Sequence, residues 1–338
     1  VFISAPINSL SYGLVSQNIL DNLSNYKLKP LGQFDSAQYS RFIPKLINYT
    51  EDLDLTKPSL KIFHENLLFD HIGKGTRIGF PIFERNEFTP EHVWNLKHQD
   101  LVLVCSKWAK ELVEPINPNV MVCPLGVSEN FKPGYIPNNQ DKVIFYTQGK
   151  REVRKGHNYL HKVFHKAFQN NNDVELWMFT HNYFDTPEQT RSFQSEYKSL
   201  LGNKVKFFPR LSEQEMINWL HKTDCGIFLS RAEGWNMPLS EALAMGKQVI
   251  ATYYSGHTEY LKNGINPVEF EPAIDDKWFH GEFTWMKIES NEEEIVTLLR
   301  EKYEYCKNNK GPDPKSTNLV KNYTWKNTAE IINGLRGL

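Results

Sequence analysis

The sequence predicts an α/β protein built as two doubly wound parallel-sheet domains in tandem. Three observations carry this. Continuous apolar runs of strand length alternate with helical stretches, the pattern of a parallel sheet covered on both faces. One stretch rich in proline, glycine and asparagine, residues 131–140, breaks that rhythm and reads as a linker. The 338 residues suit about two domains.

The elements follow in order. Residues 1–4 read as a strand, and Ser11 caps a helix running to about residue 23. Residues 60–64 and 77–84 read as strands. Thr89-Pro90-Glu91 starts a helix, with a capping hydroxyl, proline at the first helical position and then an acid. Residues 100–106 form a largely apolar strand, Ser106 caps a helix over 107–114, and 120–125 is a further strand. After the linker the alternation restarts. Strand 142–147 precedes helix 157–169, strand 174–180 precedes helix 188–201, and strand 205–209 precedes helix 212–222. Strand 225–230 leads into helix 239–245, closed by Gly246, and strand 248–253 ends the regular run. Residues 275–285 are irregular, and 324–335 reads as a final amphipathic helix. The expected domains are 1–132 and 141–317, with a C-terminal helical segment over 318–338 packing back on the first.

Composition narrows the class. Hydrophobic residues make up 40%, enough for a core in each half, and a net charge of -1 argues against a nucleic-acid partner. Cys105, Cys123, Cys225 and Cys306 form no CxxC pair, so neither a zinc site nor a disulfide framework is expected. No run of eighteen apolar residues exists, and the first residues lack the basic flank of a signal peptide. A soluble, cytoplasmic protein is the expectation.

The chemistry concentrates in Arg231-Ala-Glu-Gly-Trp-Asn-Met-Pro-Leu-Ser-Glu241, on a strand-to-helix turn, where ligands bind in parallel α/β sheets. Pro238 favours a helix start there, and the free N–H groups and positive dipole end of that helix suit a phosphate. Glu241, expected in the first helical turn, can accept from sugar hydroxyls, while Glu233, on the loop, is free to face a second group. A second constellation is Gly149-Lys-Arg-Glu-Val-Arg-Lys-Gly156, again between a strand and a helix. Lys150 and Lys155, each beside a glycine, are the candidates to grip a diphosphate, whereas Arg151 and Arg154 read as solvated surface. The loop Pro6-Ile-Asn-Ser-Leu-Ser-Tyr-Gly13 carries one glycine able to approach a phosphate or sugar. His64 and Glu84, ending expected strands, are candidates for proton handling or acceptor binding. Neither GxGxxG nor a Walker loop is present, and no DxD pair ends a strand, since Asp52 and Asp54 lie in a polar stretch. A catalytic metal is not indicated.

At these residues the chain resembles the retaining, nucleotide-sugar-dependent glycosyltransferases of the GT-B fold, family four, also described as glycosyltransferase group 1. Glu233-Gly-Trp-Asn-Met-Pro-Leu-Ser-Glu241-Ala is similar to that family's E-G-[FW]-G-x-P-x-x-E-A, with its E-x7-E spacing. Gly149-Lys150 with Lys155-Gly156 is similar to G-R-x4-K-G. Ile78-Gly-Phe-Pro-Ile-Phe-Glu84, Val104-Cys-Ser106 and Pro124-Leu-Gly-Val127 resemble further landmarks. The resemblance implies two Rossmann-like domains facing across a cleft, and metal-independent transfer of a sugar from a nucleotide-diphospho-sugar, a co-substrate rather than a cofactor. The acceptor would be a carbohydrate, lipid-linked or other hydroxyl compound. Lys150 and Lys155 would bind the donor diphosphate and Glu241 the ribose. Glu233 would face the donor sugar at the reacting centre, with backbone groups of Trp235, Asn236 and Met237 on its hydroxyls. Gly13 would lie by the diphosphate, His64 near the sugar or acceptor, and Glu84 on the acceptor side. Peripheral membrane contact occurs in the family, although the sequence shows no basic amphipathic helix. Four departures stand out: Lys150 where arginine is common, Asn236 where glycine is frequent, one glycine rather than two in the first loop, and a short N-terminal half. Alternatives are a GT-B epimerase or phosphorylase, or an inactive nucleotide-sugar-binding module.

Overall fold

The computed structural model describes residues 1–50, 53–137, 142–273 and 281–335. Asp52, the last three residues of the expected linker and much of the irregular stretch 275–285 lie outside the described residues. The chain divides into two compact units. One comprises Val1–Ser128, Gly281–Phe283 and Asn322–Leu338, the other Glu129–His280 and Thr284–Lys321.

In the first unit β1 (Phe2–Pro6) leads into α1 (Ser11–Asp21), followed by β2 (Lys27–Leu31), β3 (Ser59–Ile62) and β4 (Arg77–Phe80). Then come α2 (Pro90–Lys97), β5 (Leu101–Val104), α3 (Lys107–Val113) and β6 (Val120–Val122). Among the described residues these strands form one sheet in the order β2-β1-β3-β4-β5-β6, every pairing parallel. The central strand β3 is buried at every position, while β2, on the edge, is mostly half-exposed. Edge placement explains how β2 carries Pro30, which has no N–H to give a neighbour. The expected strand over 77–84 stops at Phe80. Thr89 and Ser106 cap where the sequence places them, Thr89 accepting from His92 N–H and Ser106 from Ala109 N–H, whereas Ser11 is the first residue of α1 and Leu10, which has no capping side chain, stands at its N-cap. Leu68, Leu96, Val102, Val104 and Val113 pack together beneath the helices.

The second unit repeats the scheme. β7 (Val143–Lys150), α4 (Leu160–Phe168), β8 (Val174–His181), α5 (Pro187–Leu201), β9 (Val205–Phe207) and α6 (Glu213–Leu220) come first. β10 (Cys225–Phe228), α7 (Met237–Ala244) and β11 (Gln248–Ala251) complete the sheet, whose order is β11-β10-β7-β8-β9, all parallel. A small antiparallel pair, β12 (Phe270–Pro272) with β13 (Thr284–Met286), precedes α8 (Glu292–Asn308) and α9 (Pro314–Val320). Thr186 with Gln189, and Ser212 with Glu215, form reciprocal capping boxes that start α5 and α6. The core joins Phe145, Leu176, Met178 and Ile227 of the sheet to Phe164 of α4 and Ile295 and Leu299 of α8. The last helix, α10 (Trp325–Gly334), belongs to the first unit and packs on α1. There Thr328 donates to the Pro124 carbonyl (2.7 Å).

Each unit is thus a parallel sheet flanked by helices, the Rossmann-like pair of the GT-B architecture. All four cysteines are buried, and none is in a disulfide. Among the described residues, no helix is long and apolar enough to cross a membrane.

Candidate active site

Strand order fixes where a site belongs. In the second sheet the order reverses between β7 and β10, with β8 and β9 on one side and β11 on the other. Ligands in such sheets bind beyond the carboxyl ends of the strands flanking that reversal. The loop after β7 carries Arg151–Gly156, and the loop after β10 carries Ser230–Asn236. Both motifs singled out in the sequence therefore meet at one point.

Glu233 is the centre of this meeting. It is 3% exposed. Its Oε1 accepts from Lys155 Nζ and from Ser230 Oγ, each at 2.7 Å, and its Oε2 accepts from Arg154 Nη1 at 2.8 Å. Its N–H donates to Ser255 Oγ (2.7 Å). Burial alone would raise the carboxyl pKa, but the charges of Lys155 and Arg154 more than offset it and hold Glu233 well below the usual carboxylate range. Glu233 is therefore a buried, ionised anchor, not an exposed loop acid free of contacts. A carboxylate offers about four acceptor positions, and three donors occupy it here.

The expectation for Arg154 and Arg151 is corrected. Arg154 is buried and joins Glu233 to Glu152, which its Nη2 meets at 3.0 Å. Glu152 in turn pairs with Lys150. The sequence thus folds Lys150, Glu152, Arg154, Glu233 and Lys155 into one line of alternating sign, three cations against two carboxylates. Arg151 turns the other way, pairing with Asp185 and lying 4.8 Å from the Phe193 ring centroid. A run of four cations looks like a solvated face, and the chain supplies no local hint that Glu152 and the distant Glu233 will bury one of them.

Two features hold the loops together. Gly156 has φ 71°, and a Cβ there would stand 2.2 Å from the Leu229 carbonyl oxygen, so only glycine lets the β7 loop lie against the end of β10. Arg231, 2% exposed and not singled out in the sequence, donates to Glu271 (2.7 Å) and to both oxygens of Glu289 (2.8 and 2.5 Å). Its N–H donates to the Arg154 carbonyl (2.6 Å). It ties the Ser230–Glu233 loop to the small β12–β13 ribbon and to the cationic loop at once.

Helix α7 begins at Met237, with Pro238 in its first turn and Asn236 as its N-cap. Asn236 has φ 65° and ψ 66°, the left-handed region. Asparagine is among the few non-glycine residues that accept this conformation, which accounts for its standing where the family favours glycine. Its side chain makes no capping bond, and both amide atoms are buried without a hydrogen-bond partner. Tyr260 donates its hydroxyl to the carbonyls of Trp235 (2.7 Å) and Asn236 (2.9 Å), and its ring centroid lies 5.0 Å from that of Trp235. No acid occupies the first turn of α7. Glu241 is its fifth residue, so it sits in the second turn, one turn later than expected. Gln148, near the end of β7, donates to Glu241 Oε2 (3.1 Å). Burial, reinforced by the charge of Glu213, pushes Glu241 up to about 7, only partly offset by Gln148.

In the first unit the order of strands reverses between β1 and β3. Gly13 lies in α1 just beyond β1, where a Cβ would meet the Asn8 carbonyl oxygen at 2.3 Å, so the loop's own close approach already requires glycine. His64 is exposed beyond β3, its ring 4.7 Å from that of Tyr12. The Tyr12 hydroxyl donates to the Ile82 carbonyl (2.7 Å) and accepts from Ile82 N–H (2.9 Å), pinning α1 to the segment that leads to Glu84. Burial, with the charges of Glu65 and Glu84, raises the Tyr12 phenol well up. Glu65 is a residue that sequence reasoning passes over. It is buried beside His92 (3.5 Å) and Arg85 (4.0 Å), and burial raises its carboxyl to about 7 despite Arg85. Its only sequence signal is its position after a strand end. Among the described residues no cluster of three or more His, Cys, Asp or Glu side chains is placed to hold a metal ion.

Comparison with known proteins bears on both units. No curated protein matches the sequence. Solved structures do. The Anabaena protein Alr3699/HepE, solved in complex with UDP, superposes with a TM-score of 0.69 at 14% identity, covering 100% of this chain and 99% of that one. A glycosyltransferase from Rickettsia africae gives 0.65 at 14%, covering 99% and 97%. The lipopolysaccharide outer core galactosyltransferase WaaB gives 0.67 at 13%, covering 98% of each. At these identities the likeness shows the fold. The family described as "Glycosyl transferases group 1" matches residues 127–308, more than half of the chain and all of the second sheet with its loops. The chain belongs to the group 1 glycosyl transferases.

Proposed function

We propose that this glycosyltransferase moves a sugar from a nucleotide-diphospho-sugar to a hydroxyl acceptor with retention of anomeric configuration and without a metal ion. The observation that supports it best is the line Lys150–Glu152–Arg154–Glu233–Lys155 at the strand-order reversal, beside the start of α7. These five groups carry a net charge of +1, three cations less two carboxylates. An incoming diphosphate would meet cations already held in place, together with a helix N-terminus whose first turn carries no acid. The solved Anabaena relative in complex with UDP-glucose supports a donor of this class.

In this reading Lys155 and Lys150 stabilise the diphosphate as it leaves. Glu233 spends three acceptor positions on its cations and offers the remaining one to a sugar hydroxyl. Glu241, beside Gln148, accepts from the ribose diol. Main-chain groups of Trp235, Asn236 and Met237 line the sugar, while Gly13, His64 and Glu84 serve the donor and acceptor. As the C1–O bond to the diphosphate breaks, the acceptor oxygen bonds C1 from the same face. Its proton passes to the departing phosphate oxygen, giving a glycoside and a nucleoside diphosphate. The protein's contribution is fixed charge aimed at developing charge, which for one such donor is worth about a 10²–10³-fold rate.

The test is transfer activity against a panel of nucleotide sugars. Lys155→Ala and Glu233→Ala are each expected to lose about a hundredfold or more in kcat. Wild-type rates in both variants would refute the assignment.

A further inference from the structure

We propose that Asn236 is the residue that selects the donor sugar, and that it selects one presenting two free vicinal hydroxyls at the position it faces. The inference rests on the donor site proposed above and goes beyond it by naming what the sugar must carry.

The argument starts from a side chain whose needs the protein leaves unmet. An asparagine at a helix N-cap ordinarily lies in extended backbone and accepts from an N–H of the first turn. Asn236 does neither. Its backbone is left-handed, φ 65°, ψ 66°, and no side-chain capping bond forms. The residue is 5% exposed, and neither Nδ2 nor Oδ1 has a hydrogen-bond partner. A buried amide left in this way costs stability, so a partner is expected from outside the chain. The surrounding loop does not supply one. Glu233 is taken up by Lys155, Arg154 and Ser230, and Tyr260 donates to the carbonyls of Trp235 and Asn236.

The chemistry of the amide then narrows the ligand. Oδ1 needs a donor and Nδ2 needs an acceptor, side by side. Adjacent hydroxyls of a pyranose meet both demands, one donating to Oδ1 and its neighbour accepting from Nδ2. A carboxylate, as on a uronic acid, brings no proton for Oδ1. A deoxy position leaves one amide atom bare. Sites built to hydrogen-bond a hydroxyl reject the analogue that lacks it far more strongly than apolar pockets reject a size change.

The experiment measures kcat/KM, as nucleoside diphosphate release, for the preferred nucleotide sugar and each of its monodeoxy analogues. It compares wild type with Asn236→Gly and Asn236→Asp. Glycine accepts the left-handed backbone and removes the amide, while aspartate keeps the shape and the acceptor oxygen and loses the donor. Wild type is expected to reject analogues at two adjacent ring positions by about a hundredfold or more. Asn236→Gly should bring those two ratios to within about tenfold of unity and leave the other positions as they are. Asn236→Asp should relax only one of the two. The aspartate variant carries the test alone if a thermal melt shows the glycine variant unfolded. Unchanged ratios, or a uniform change at every position, would overturn the inference while leaving the donor site standing. Absence of turnover of any nucleotide sugar by wild type would overturn the proposed function and this inference with it.

Discussion

Glu233 and Glu241 lie on one loop-helix segment yet are pushed in opposite directions. The charges of Lys155 and Arg154 hold Glu233 ionised, whereas burial and the neighbouring charge of Glu213 raise Glu241 to about 7. A ribose diol donates to the ionised form of Glu241. As pH falls below about 7 the free protein protonates this carboxyl, so donor affinity should weaken, by about tenfold per pH unit, and should level off above pH 7. Titration calorimetry with the nucleoside diphosphate checks this. Glu241→Gln should bind more weakly and with no such dependence, and a flat wild-type profile between pH 5.5 and 8, values chosen about that pKa, would contradict the assigned role. Glu233 makes a different prediction. Removing it deprives Arg154 and Lys155 of the carboxylate they share, so Glu233→Ala should lose about 3–5 kcal/mol of stability as well as activity. Denaturant unfolding measures the first independently of the second. The two loops that carry Glu233 and Lys155 were legible at this scale, because their residue types and spacings stand in the sequence. The burial of Arg154 was not, since its partner Glu233 is remote in the chain and a cationic run carries no mark of which member turns inward.

At the scale of elements, the site depends on two loops pressed together at the ends of β7 and β10. Gly156→Ala would combine left-handed strain with a 2.2 Å approach to the Leu229 carbonyl, and should cost about 1–3 kcal/mol. Because Lys155 precedes it, kcat should fall too, and a thermal melt alongside steady-state rates separates the two effects. Arg231→Met should release the β12–β13 ribbon from the cationic loop at about 3 kcal/mol, a loss that unfolding experiments would detect. Strands such as β5 and β10 were readable as continuous apolar runs. The helices after Thr89 and Ser106 were readable from their caps. β2 was not, because an edge strand with alternating lysines and a proline resembles a loop. Helix α8 went unread although Ile295, Val296, Leu299, Tyr303 and Cys306 recur at helical spacing, since the irregular stretch before it conceals its start.

For the whole molecule, the sequence pattern already specified two sheets, because a run of strand–helix pairs, a break and a second run admit little else. What it did not contain was the order of strands, and strand order is what brings Lys155 to Glu233. If that meeting creates a donor site driven by fixed protein charge, chelation should leave transfer intact. Activity unchanged by excess EDTA is the expected result, and a loss restored by added divalent ions would contradict metal independence. The central claim is retention at the Glu233 site. Proton NMR of slow donor hydrolysis tests it most directly, since water can replace the unidentified acceptor and the first sugar anomer released is visible before mutarotation. The account predicts that this first anomer has the configuration of the donor, in the wild type and not in Glu233→Ala, which should release little. First appearance of the opposite anomer would contradict it.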